Sequence, residues 1–91
     1  LAKPAAKLKP REKTNPALPD EAAFLAAIGC EVRRNRAKRG MTRRQLAQAS
    51  ETSERYLAQI ESGAGNPSVS VLRAIAGALD LPATALLPET G

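Results

Sequence analysis

Between Arg33 and Arg44 the chain carries seven basic residues and no acid: Arg33, Arg34, Arg36, Lys38, Arg39, Arg43 and Arg44. A one-signed cluster of this density suits a polyanion, either nucleic acid or an anionic membrane face, and the net charge of +5 and pI near 10.0 agree. Close behind it come Glu54, Arg55 and Gln59, forked donors and acceptors, with the small Ala58 among them, at spacings that share one helix face. Other chemistry is missing. There is no histidine, so the usual general base, metal ligand and neutral-pH switch are all lacking. Cys30 is the single cysteine, so neither an intramolecular disulfide nor a multi-cysteine zinc site can form. No nucleophile–base pair can be assembled from the scattered acids. An enzyme is not expected, nor is a metal or a cofactor.

No apolar run approaches the roughly 18 residues of a membrane span. Binding to a membrane surface would need Trp, Phe or Leu opposite the basic face, and Phe24 and Tyr56 are the only aromatics. With no signal peptide visible, the cytoplasm is the expected compartment. The chain opens on Leu1 rather than Met, which suggests a piece of a longer protein. It closes on "LPETG", Leu87 to Gly91, which resembles a sortase recognition motif but is read as chance or a tag.

At 91 residues the chain holds one small domain. Its first 19 residues contain four prolines and five basic residues against Glu12, a composition that prevents a regular helix. They read as a flexible basic arm or as an inert linker. The packed region is expected over 20–87, with 88–91 as a tail. Asp20 is a helix N-cap, followed to Arg39 by Phe24, Leu25, Ile28 and Val32 on one face. Gly40 ends that helix. Thr42 and Gln45 form a capping box opening a second helix to about Ser50. Ser53 caps a third that ends near Gly63. Asn66 as N-cap and Pro67 at the first position open a fourth to about Leu79, with Val69, Leu72, Ile75, Ala76 and Leu79 as its apolar face. Pro82 opens a last short helix through Leu87. The expected fold is all-α, with five helices around an aliphatic core.

The second and third helices are each too short to stand alone in water. They make sense as two arms of a rigid corner. Arms meeting at about 90–120° need a small residue at the crossing, and Ala47 supplies it. Leu57 and Ile60 turn one stripe of the third helix inward, leaving Glu54, Arg55, Ala58 and Gln59 outside. That face is short and polar, and a DNA major groove about 12 Å wide admits such a helix.

The stretch "MTRRQLAQASETSERYLAQIESGAGNPSVSVLRAIAGAL" resembles the helix-turn-helix domain of the Cro and phage-repressor (XRE-like) type, a lambda-repressor-like fold. The likeness covers roughly Ile28 to Leu87. It departs from the pattern at Glu51, where glycine is usual because the turn favours a left-handed backbone, and at Asn35, where an apolar residue is usual. Asn35 is therefore expected at the core edge or hydrogen-bonded. "SERYLAQIESGAGN" is similar to the N-terminal domain of benzoyl-CoA-responsive repressors of anaerobic benzoate degradation. That likeness implies an effector domain and an acyl-CoA-type ligand, both outside this chain.

The resemblance implies sequence-specific binding of double-stranded DNA, with the third helix in the major groove. Arg55 would fork to guanine O6 and N7, Glu54 would accept from cytosine N4, and Gln59 would pair with adenine, with Ala58 against the base edges. The backbone would be held by Thr42, Arg43, Arg44, Ser53, Tyr56, Ser62, Asn66 and Ser68; partial burial is the other reading for Tyr56. The family pattern pairs Arg36 with Glu61 as a structural ion pair, so Arg36 is expected to hold helices together rather than touch DNA. Such domains act as transcriptional regulators, here expected as a repressor, commonly as homodimers on palindromic sites with half-sites about 34 Å apart. The competing reading is a protein-interaction module of the same fold, antitoxin-like or scaffold, whose basic surface meets an acidic protein. Arg55 and Gln59 beside a basic flank favour DNA.

Overall fold

The structure, a computed structural model, describes residues 20–88. The expected basic arm, residues 1–19, and residues 89–91 of the tail lie outside the described residues. Helix α1 spans Glu21–Lys38, α2 Arg43–Ala49, α3 Glu54–Ser62 and α4 Val69–Ala78, followed by a 3-10 helix over Ala83–Leu86. No strand occurs among the described residues.

Each α-helix starts at a side-chain cap, which satisfies an N–H that the first turn cannot pair internally. Ala23 N donates to the Asp20 carboxylate at 2.9 Å. At α2 the box is reciprocal: Gln45 N donates to Thr42 Oγ1 at 3.0 Å, and Thr42 N donates to Gln45 Oε1 at 2.8 Å. Tyr56 N donates to Ser53 Oγ at the head of α3.

The fourth helix corrects the sequence reading. Its cap is Ser68, whose Oγ accepts from Val71 N at 3.1 Å, and not Asn66 two residues earlier. Pro67 lies ahead of the helix and is buried, so its ring fills space under the loop and does not form the first turn. Val69 consequently falls on an overhanging first turn, 77% exposed, and is no part of the core face. The last segment also differs. Four residues from Ala83 form a single 3-10 turn with no side-chain cap, so the described residues hold four α-helices and this turn where a fifth helix was expected. Leu86 in that turn is buried, which is what keeps so short an element in place.

The core is aliphatic. Ile28 and Val32 from α1, Leu46 and Ala47 from α2, Leu57 and Ile60 from α3, Leu72, Ile75, Ala76 and Leu79 from α4 and its end, and Leu86 form one buried cluster. Phe24, Leu25, Met41 and Tyr56 pack on its margin. Helix α1 lies mainly on α3, and α2 on α3 and α4. Asn35 sits half-buried in α1, its Nδ2 donating to the Glu31 carbonyl at 2.8 Å, so the polar side chain is satisfied within its own helix.

The turn between α2 and α3 is left-handed at Glu51, with φ 58°. Ser50 stabilises it from within: its buried hydroxyl donates to the Leu46 carbonyl at 2.8 Å and meets Thr52 Oγ1 at 3.0 Å. An L-residue in the left-handed region costs roughly 1–2 kcal/mol, partly offset in glycine by its greater freedom when unfolded. Glu51→Gly is therefore expected to stabilise the domain by about 0.5–1 kcal/mol, a rise of a few degrees in Tm by circular dichroism. An unchanged or lower Tm would mean that the turn is not held left-handed in solution.

Candidate nucleic-acid interface

Helix α3 is sharply two-sided. Leu57 and Ile60 are buried, while Glu54, Arg55 and Gln59 are exposed and Ala58 is half-buried between them. Tyr56 is half-buried against the core. The helix stops at Gly63, whose φ of 87° places it in the left-handed region, and Ala64 N and Gly65 N fold back onto the Gln59 carbonyl. A side chain at Gly65 would press on Ile60 and Gln59 at 3.2–3.3 Å, so glycine eases the tight turn under α3.

The hydroxyls proposed for the flanks are already engaged, but only as acceptors. Thr42, Ser53 and Ser68 each accept from a backbone N–H of their own helix. A hydroxyl that accepts still has its own hydrogen to donate, so capping and phosphate binding are compatible. Ser62 differs: its Oγ donates to the Gln59 carbonyl at 3.0 Å, so it would have to exchange that bond for a phosphate. Asn66 is exposed.

The basic cluster is less uniform in space than in sequence. Arg34 bridges to Glu31 at 3.0 Å on the exposed side of α1. Arg36 is drawn inward, its Nε and Nη2 holding both oxygens of Glu61 at 2.7 and 3.1 Å, while its Nη1 donates to the Met41 carbonyl. Hydrogen bonding to Glu61 raises the pKa of Arg36 above its ordinary value against the opposing effect of burial, and the Glu61 charge adds to the rise. Arg33, Lys38, Arg39 and Arg44 are exposed and make no ion pair among the described residues. Arg43 reaches Glu61 as well, Nε to Oε1 at 3.4 Å, a contact that sequence reading missed because nothing local links positions 18 apart.

Reading the sequence also passed over Gly29. In α1 it faces the last turn of α3, where an added Cβ would collide with the Ile60 carbonyl and approach the Glu61 carbonyl to 2.7 Å. The close approach brings the two backbones together beside the Arg36–Glu61 pair. Among the described residues, no group of three or more His, Cys, Asp or Glu is placed to hold a metal ion. No helix there is long and apolar enough to cross a membrane.

The helix-turn-helix family HTH_3 matches residues 32–86, from the middle of α1 to the 3-10 turn. The chain belongs to that family. As an HTH_3 domain it is 40% identical over 62 residues to the immunity repressor protein of Bacillus phage phi105, covering 68% of this chain and 43% of the relative. The chain thus spans less than half the length of that curated relative. Among solved structures, the restriction-modification controller protein C.AhdI from Aeromonas hydrophila superposes with a TM-score of 0.68 at 28% identity, over 69% of this chain and 96% of that one. The clp gene regulator ClgR from Corynebacterium glutamicum gives a TM-score of 0.66 at 34% identity, over 68% and 66% of the two chains. The match takes in α2, the turn at Glu51 and α3.

Proposed function

We propose that residues 20–87 form the sequence-reading DNA-binding domain of a transcriptional repressor, with α3 seated in the major groove of double-stranded DNA. The observation that carries this reading is the division of α3. Its inward stripe is spent on the core, and its outward stripe presents Glu54, Arg55, Ala58 and Gln59. Such a face reads base edges: Arg55 by a fork to guanine, Gln59 to adenine, and Glu54 to cytosine N4. Arg43, Arg44 and the cap hydroxyls of Thr42, Ser53 and Ser68, with Tyr56, Ser62 and Asn66, would hold the phosphates on either side and fix the register.

The phage relative, an immunity repressor, supports the repressor part of the reading. A homodimer on a palindromic operator follows from the way such domains reach useful affinity, with half-sites about 34 Å apart. Action on chromosomal DNA would place the protein in the cytoplasm. An acyl-CoA-type effector, held by a domain outside this chain, is the extension suggested by the likeness of Ser53–Asn66 to benzoyl-CoA-responsive repressors, and it rests on that likeness alone.

The test is selection of bound duplexes from a random DNA pool at fixed salt, with the unaltered domain and with Arg55→Ala. The unaltered domain is expected to enrich a motif, and the variant to lose one guanine position at a cost of about 1–3 kcal/mol, roughly 5–150-fold in affinity. Equal binding to all sequences, with a steep salt slope and no effect of Arg55, would instead mark a general polyanion surface and turn the search to an acidic protein partner.

A further inference from the structure

We propose that Glu61 is a positioning residue for DNA binding as well as a structural one: its carboxylate holds Arg43 by Nε so that the Arg43 guanidinium is aimed at a phosphate before DNA arrives. The proposal rests on the reading of α2 and α3 as the DNA-facing corner.

Glu61 is almost wholly buried, with 3% of its side chain exposed, and it receives two arginines. Arg36, 15% exposed, takes both carboxylate oxygens at short range and gives its remaining terminal nitrogen to Met41. Each nitrogen of that guanidinium is engaged. Arg43, 42% exposed, touches Oε1 through Nε alone, and neither of its Nη groups has a hydrogen bond among the described residues. Since a guanidinium carries five N–H donors in a rigid planar fork, a contact at Nε narrows the directions open to both Nη groups while leaving them exposed. Two guanidiniums around one carboxylate also leave a surplus positive charge, and it lies on the exposed member of the trio. An anion arriving there completes the charge balance without breaking the buried pair.

A free surface arginine must give up much of its rotamer freedom to grip a phosphate. One already restrained gives up less. The Arg36–Glu61 pair, which sets α1 against α3, therefore also sets a contact residue at the head of α2, so that the fold's internal anchor and its outer grip share one anion.

The experiment uses the domain with 15N-labelled arginine side chains and a duplex carrying the selected motif. The Nε–H of Arg43 is expected to exchange with water markedly more slowly than that of Arg44, and to stay protected in the complex. In binding titrations, Glu61→Gln is expected to weaken affinity about 3–10-fold, and Arg43→Ala to cost less in the Glu61→Gln background than in the unaltered one. A purely structural Glu61 would lower affinity through folding but would leave the Arg43 penalty the same in both backgrounds. Equal penalties, or Arg43 and Arg44 exchanging at one rate, overturn the proposal. If Glu61→Gln fails to fold by circular dichroism, the exchange comparison in the unaltered domain decides alone. Failure of the unaltered domain to bind any duplex would instead overturn the reading of the corner itself, an outcome separate from additive penalties in a domain that does bind.

Discussion

Arg36→Ala is expected to destabilise the domain by about 3–5 kcal/mol, measured as a shift in chemical or thermal unfolding by circular dichroism. The loss follows from what is left behind. Glu61 stays buried with its short bidentate partner gone, facing only the longer and half-exposed contact from Arg43. The Met41 carbonyl also loses the Nη1 donor that ties the loop before α2 to α1. Domains of this size have about 5–15 kcal/mol in all, so the change should lower Tm by more than about 10 °C. Replacing both members, as in Arg36→Leu with Glu61→Leu, is expected to recover most of the loss, because the penalty comes from an orphaned charge and not from a missing attraction. A single-variant cost below about 1 kcal/mol would show the pair to be solvated in solution, like an ordinary surface bridge. The pKa of Arg36 is raised in the fold. Its stabilisation is therefore complete below the ordinary arginine value and is lost only as pH rises through the still higher folded value. Unfolding measured from mildly acidic to mildly alkaline pH should show no slope from this residue.

Gly29→Ala is expected to reverse the usual sign of a glycine-to-alanine change in a helix. On an open helix surface alanine is favoured by up to about 1 kcal/mol. At Gly29 the new methyl would run into the carbonyls of Ile60 and Glu61, which are backbone atoms inside α3 and cannot rotate away. Either α1 and α3 separate or the last turn of α3 distorts, at a net cost of about 2–3 kcal/mol. Gly77 in α4 is the natural control, since nothing lies within 4 Å of a Cβ added there. Gly77→Ala should stabilise by about 0.5–1 kcal/mol in the same assay. Two substitutions of the same kind with opposite signs would locate the tight contact. The same sign for both would remove it. Gly29→Ala should also weaken DNA binding in whatever fraction stays folded, because the shift moves α3 and the Glu61 carboxylate together.

The caps of α1, α2 and α3 were legible because their chemistry is local: a Ser, Thr or Asp three residues before the N–H it accepts from can be seen in a short window. The two-sidedness of α3 was legible for the same reason, since Leu57 and Ile60 declare its inner face. The start of α4 misled because Asn66–Pro67 and Ser68 are both good start signals, and only tertiary packing, which buries Pro67 ahead of the helix, decides between them. The expected fifth helix became a 3-10 turn because the segment after Pro82 has no capping side chain and only Leu86 to bury. Gly29 and the Arg43–Glu61 contact were not legible at all. One looks like any glycine in an alanine-rich helix, and the other joins elements whose relative placement no spacing rule supplies. The cluster of seven basic residues over 33–44 overstated the free positive surface, because two of its arginines converge on a single acid that the sequence places far outside it.

The division of labour within α3 sets how this domain can evolve. Selection for a stable fold acts on the buried Leu57 and Ile60, and on the proposed reading selection for a target sequence acts on Glu54, Arg55, Ala58 and Gln59. Few residues answer to both. After gene duplication, a copy could drift to a new operator through substitutions at those outer positions with little loss of stability. Rival repressors in one cell could become insulated from each other by the same short route. Glu61 is where that freedom ends, because it serves the interior and the outer grip together, and a lineage changing its operator would be expected to leave it alone.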